Sequence, residues 1–244
     1  MAYPLQSIPG GRSCYSISDL IEYGECPVKI KYLSNQTLDC PEQVWTSMVS
    51  NCFNWLCSRA MTGKFPSAKS FETQFNLLWD KLKPSINTAL STDLMLVTHS
   101  RCNRVYKFFS DLKSFEVIAH DQSFDFESDL SVISVPLTII RQSNLIYSFY
   151  VDNSVTYSKV PRMYPVVRSI IASVTKSFLA GYSYIKNPCI IQAQNFSFYS
   201  LSSVANLPNV VDNIVIGLSH STYPILGPNC KVCNKKSQCP WFNE

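Results

Sequence analysis

Residues 130–151, LSVISVPLTIIRQSNLIYSFYV, decide between an all-helical chain and a mixed one. Two runs rich in β-branched and aromatic residues, LSVISVPLTII and NLIYSFYV, flank Gln142-Ser143-Asn144, whose short polar side chains suit a hairpin turn. Just upstream, Phe115, Val117 and Ala119 alternate with polar neighbours, the period of a half-buried strand. A three-strand meander is therefore expected. Moving outward toward the C-terminus, Val167, Ile170, Ile171, Val174 and Phe178 form a helical stripe within 163–184. A further strand is expected in CIIQAQNFSFYSL, residues 189–201, and a last helix over Val210 to His220.

Toward the N-terminus the period is helical. Val44, Met48, Phe53, Leu56 and Met61 fall on one helix that starts near Pro41 and ends at Gly63. Phe71, Phe75, Leu78 and Trp79 mark a second helix over 68–82, stopped by Pro84, and residues 86–112 read as one or two more. Ser16 or Ser18 can cap a short helix bearing Leu20, Ile21 and Tyr23, which Gly24 closes; the first fifteen residues read as an irregular lead-in. Helices, a meander, then helix, strand and helix predict a single α/β or α+β domain over 1–244, with a small mixed sheet flanked by helices. No internal repeat interrupts this order.

Composition narrows the class. The chain has 244 residues, 46% of them hydrophobic, and a formal charge of +4, which permits a nucleic-acid partner without requiring one. No run of eighteen apolar residues occurs, and MAYPLQSIPGGR lacks a charged-then-apolar leader pattern. A soluble cytoplasmic protein is expected, with no membrane partner. In a reducing compartment its ten cysteines would be thiols or metal ligands rather than disulfides. Cys14, Cys40, Cys52, Cys57, Cys102 and Cys189 sit in apolar or mixed contexts and read as small hydrophobes. No glycine-rich phosphate loop is present, so no nucleotide cofactor is expected, and His99, His120 and His220 lack a neighbouring nucleophile pattern.

The remaining cysteines are spaced for metal. In GPNCKVCNKKSQCPWFNE, residues 227–244, Cys230, Cys233 and Cys239 stand at C-x2-C-x5-C, followed by Pro240. A C-x2-C pair reaches disulfide geometry only with strain, whereas close thiolates select zinc or an iron–sulfur cluster. A closed site needs a fourth ligand from elsewhere. Cys26-Pro27, at the end of the first short helix, offers one.

Taken together, the S-x-S-x-L-x-x-Y-x-x-C-P segment (Ser16, Ser18, Leu20, Tyr23, Cys26, Pro27) and the C-terminal C-x2-C-x5-C-P resemble the RecB-like PD-(D/E)XK nucleases that carry an iron–sulfur cluster, among them CRISPR-adaptation exonucleases and AddB-type subunits. The resemblance implies a PD-(D/E)XK nuclease-like fold. It also implies Cys26, Cys230, Cys233 and Cys239 as ligands of a 4Fe-4S cluster, with zinc as the alternative, clasping residues 1–40 to 221–244. Closing a loop of about two hundred residues would remove several kcal/mol of unfolded-chain entropy.

The catalytic half of the pattern is altered. Ser50 and Asn54 stand where that family has glycine and histidine, Pro136 and Leu137 where the first aspartate falls, and Tyr150 and Asp152 where acid and lysine are expected. A register shift of two puts Asp152 at the acid and Ser154 at the lysine. The carboxylates of such nucleases hold the divalent ion that activates water. Without them, an inactive nuclease-like module is expected, with no catalytic residue assigned. It would act as a DNA-binding or protein-binding subunit of a replication, transcription or recombination complex. Lys29, Lys31, Lys231, Lys235, Lys236, Arg162 and Arg168 are the candidate phosphate contacts, with Lys176 beside them and Tyr32 and Trp241 available for stacking. Two alternatives stay open: a pure protein-interaction subunit, or an active exonuclease with metal ligands relocated among Glu116, Asp121, Asp125, Glu127 and Asp129, a stretch that otherwise reads as an acidic turn before a strand. A viral or mobile-element source would suit such a repurposed nuclease.

Overall fold

The computed structural model describes residues 12–26, 38, 40–86, 92–112, 114–143, 145–151, 163–180, 189–191, 196–198, 204–220, 230, 233 and 239. In chain order the elements are β1 (Ser13–Ser16), α1 (Ile17–Glu25), α2 (Pro41–Met61), α3 (Ala68–Leu82), α4 (Thr92–Asp111), β2 (Glu116–Glu127), β3 (Ser131–Gln142), β4 (Leu145–Val151), α5 (Tyr164–Phe178), β5 (Cys189–Ile191), β6 (Phe196–Phe198) and α6 (Leu207–His220). This is a mixed α/β chain with a small mixed sheet between helices.

The sheet grows from β3. Along one edge it pairs antiparallel with β2, from Glu127↔Val132 to Glu116↔Arg141. On the other edge β1 runs parallel to Ser131–Ser134, and β4 runs antiparallel to Thr138–Gln142. Residues 135–137 fall between those two partners. Pro136 lies in that break, where a strand tolerates a residue with no N–H to give. Beyond β4, β5 pairs parallel and β6 antiparallel to β5. The meander β2–β3–β4 is thus followed by α5 and a strand parallel to β4.

Alternation along the strands divides the interior into two cores. From β3, Ile133, Val135, Leu137 and Ile139 join Ile146 and Tyr150 of β4 under α1, α5 and α6. On the opposite face Ile140, Tyr147 and Phe149 meet the layer of α2, α3 and α4. Phe53, Phe109 and Phe149 tie that second core together, with ring centroids 5.6–5.7 Å apart. Full burial of each such side chain is worth about 1.5–3 kcal/mol. Between the layers, Thr175 of α5 donates to Ser148 of β4 at 2.9 Å, satisfying two hydroxyls buried inside the first core.

Several expectations need correction. The lead-in is not wholly irregular: Ser13–Ser16 form β1, with Ser13 N–H donating to Leu130 O at 3.0 Å. The acidic stretch is not a turn, because Asp121, Asp125 and Glu127 lie within the twelve-residue strand β2. Their side chains are exposed there, so the outer face of the strand looks polar in sequence. The single strand expected over 189–201 is two three-residue strands. The last helix begins at Leu207, and α5 ends at Phe178 rather than continuing to 184.

Of the buried-cysteine expectations, Cys52, Cys57 and Cys102 lie in the second core, while Cys14 and Cys40 are half-buried. Burial pushes the Cys57 thiol far above its ordinary range, and a hydrogen bond with Cys52, reinforced by burial, raises that of Cys102. No helix among the described residues is long and apolar enough to cross a membrane.

Candidate metal centre and altered catalytic positions

Cys26 is positioned by α1. Ser16 opens that helix with a capping box: its Oγ accepts from the Asp19 N–H at 3.3 Å, and the Asp19 carboxylate accepts from the Ser16 N–H at 2.8 Å. At the other end Cys26 is the C-cap residue, extended at φ −158, ψ 111, with its N–H bonded to Glu22 O at 2.8 Å. The helix between is wedged in place. A Cβ on Gly24 would collide with the Met163 side chain just before α5, and one on Gly217 of α6 would collide with the Tyr23 hydroxyl. Tyr23 therefore lies against the last turn of the helix that leads toward the C-terminal cysteines. The contact is between the Tyr23 side chain and the α6 backbone, and it has room because residue 217 is glycine.

At the C-terminus, Cys233 N–H donates to Cys230 O at 3.3 Å, which bends the C-x2-C segment. Cys26, Cys230, Cys233 and Cys239 are all half-buried, and none is in a disulfide. Four cysteines outside any disulfide are a donor set of the right softness for zinc or an iron–sulfur cluster. Their placement is another matter. Among the described residues no group of three or more His, Cys, Asp or Glu side chains is gathered to hold a metal ion. Most of the surrounding segments, 27–37, 221–229, 231–232, 234–238 and 240–244, lie outside the described residues.

The positions matched to nuclease carboxylates converge, but without carboxylates. Leu137 and Tyr150 lie one residue beyond Thr138↔Phe149, the last pair of the β3–β4 ladder. Both are buried, at 1% and 3% exposure, inside the first core. A divalent ion needs several hard oxygen ligands and water, whereas Leu137 offers no oxygen and Tyr150 a single phenol in a buried apolar cluster. Pro136, exposed, faces Ser123 of β2. Ser50 and Asn54 are half-buried on α2. Asp152 and Ser154 lie outside the described residues.

The acids on β2 do not form a site among the described residues either. Glu127 is paired with Arg12 at 3.0 Å, and Glu116 with Arg141. Asp125 stands opposite Ser134 and Asp129 is exposed. Asp121 occupies a β-bulge at φ +48, where its N–H reaches Thr138 Oγ1 at 3.2 Å, and His120 Nδ1 contacts the same oxygen at 3.1 Å. His99 pairs with Glu72 at 2.8 Å, and His220 is exposed in the last turn of α6.

Of the expected phosphate contacts Arg168 and Lys176 are described. Arg168 is half-buried on α5, and its Nε donates to Tyr164 O at 3.3 Å, so it is not a freely projecting cation. Lys176 is exposed farther along α5. Lys29, Lys31, Arg162, Lys231, Lys235 and Lys236, with Tyr32 and Trp241, lie outside the described residues. One polar group was not legible in the sequence: Asp212 of α6, 8% exposed, accepts the Leu130 N–H of the β2–β3 turn at 3.2 Å. Its spacing within α6 does not distinguish it from a surface acid.

No family model matches this chain, and no curated protein matches it.

Proposed function

We propose that this chain is a catalytically inactive, PD-(D/E)XK-like module with a four-cysteine iron–sulfur clasp, serving as a DNA-binding or protein-binding subunit of a nucleic-acid-processing complex. The observation that carries the reading is the pair Leu137 and Tyr150. They fall where the family resemblance calls for metal-binding acids, and both are buried in the first core. Further support comes from the small mixed sheet between helices, in which the meander β2–β3–β4 is followed by α5 and a strand parallel to β4. The approach of Tyr23 to Gly217 also draws the segment before Cys26 toward the helix that leads to the other three cysteines. No step of hydrolysis is assigned to any residue.

The test is a gel shift of the anaerobically purified chain on single- and double-stranded DNA, with and without magnesium or manganese. A shift that weakens with salt, with no cleavage under either ion, is expected of phosphate contacts that release counterions. Metal-dependent cleavage lost in Asp125→Ala or Glu127→Ala would overturn the inactive reading. Absence of any shift would leave the protein-binding role alone.

A further inference from the structure

The layer of α2 and α3 carries a groove that neither the cysteines nor the altered catalytic positions involve. It is open, with a volume of about 540 Å³, and lies between the C-terminal turns of α2, the segment 64–67 and α3 as far as Leu77. Trp55, Phe65 and Leu77 give it an apolar wall, and Arg59 and Lys64 give it charge. Among the described residues no carboxylate lines it. Leu77 is 51% exposed, although a large aliphatic side chain on an amphipathic helix ordinarily turns inward. The side chains of Arg59 and Lys64 have no ion-pair partner among the described residues. The start of α3 adds to the positive potential, because Ser67 caps it and its first turn holds no acid.

The groove is held in shape. Phe65 stacks on Tyr106 of α4, 5.7 Å between centroids, and Tyr106 Oη donates to Pro66 O at 3.3 Å. Unpaired cations beside an exposed apolar wall define what fits: carboxylates, and a large apolar side chain between them. A nucleic-acid strand would satisfy the cations alone. It would leave Leu77 without an apolar counterpart, and the Phe65 face is already stacked on Tyr106. We propose that this groove docks an acidic peptide segment of a partner protein, one large apolar side chain entering between Trp55, Phe65 and Leu77 while flanking carboxylates meet Arg59 and Lys64. The volume is of the size that holds such an anchor and its neighbours.

The experiment is selection of a displayed library of random 12-residue peptides on the full chain, followed by anisotropy with the recovered sequences made synthetically. Recovered peptides should place Asp or Glu on both sides of Leu, Phe or Trp. Their affinity should fall at least tenfold in Arg59→Ala/Lys64→Ala and in Leu77→Asp. All the substituted side chains are exposed, and unchanged thermal melts would verify that the variants fold. Lys81→Ala/Lys83→Ala removes the same charge beside the groove's helix but outside its lining, and should change affinity less than twofold. Three results would overturn the inference: no recovered peptide, peptides without acidic enrichment, or equal affinity for wild type and groove variants. So would a 12-nucleotide oligothymidylate whose binding is lost in Arg59→Ala/Lys64→Ala, which would give the groove to single strands. A DNA gel shift that persists in the groove variants leaves the proposed DNA-binding role standing whatever the peptides do.

Discussion

Tyr23 and Gly217 show how one residue pair can hold two distant segments together. The hydroxyl of Tyr23 occupies the space that any side chain at 217 would need. Gly217→Ala should therefore cost on the order of 1–3 kcal/mol through overpacking. Adding Tyr23→Phe, which removes the colliding oxygen, should recover part of that loss in urea denaturation. Strictly additive losses would mean that the pair does not touch. The sequence could not announce this contact, because a glycine within a helical stripe reads as a weak helix former and its close approach depends on a partner about two hundred residues away. Leu137 and Tyr150, by contrast, were legible. Each is an apolar residue in a β-branched and aromatic run, and their burial follows from the alternation of β3 and β4.

The elements divide by the kind of signal that makes them. The apolar stripes of α2, α3 and α5 are local, so Val44, Phe53, Phe71, Phe75, Val167 and Ile170 could be placed in the core from spacing alone. Strand β1 is different. Ser13–Ser16 has no alternation worth reading and forms because β3 leaves an edge open beside Ser131–Ser134. Likewise β2 was cut short, because its exposed acids and the bulge at Asp121 interrupt the strand period while long-range pairing to β3 sustains it. Asp212 belongs to this scale as well, fixing the β2–β3 turn to α6 through the Leu130 N–H. Asp212→Ala leaves that donor without its acceptor and should lower stability by about 1–3 kcal/mol. Asp212→Asn keeps an acceptor and should lose less; equal losses in chemical denaturation would deny the hydrogen bond its role.

For the whole molecule, the cysteine spacing was the clearest signal and the least local in its consequence. Cys26 ends α1, and Cys230, Cys233 and Cys239 follow α6; α1 and α6 touch at Tyr23 and Gly217. A metal closing that junction would tie the first helix to the segment after α6 around a sheet that buries Leu137 and Tyr150 in its core. The α2–α3 groove, on the other helical layer, would then leave that layer free for a partner. This separation was not legible in the sequence, since Arg59, Lys64 and Leu77 come together only when α2 turns back into α3.

The most direct measurement is iron, sulfide and zinc content, with the visible spectrum, of anaerobically purified wild type and Cys26→Ser. A brown wild type holding about four irons and four sulfides per chain, with most of that metal lost in Cys26→Ser, is the expected result. A wild type without iron, or iron that Cys26→Ser leaves undisturbed, would contradict the four-cysteine clasp.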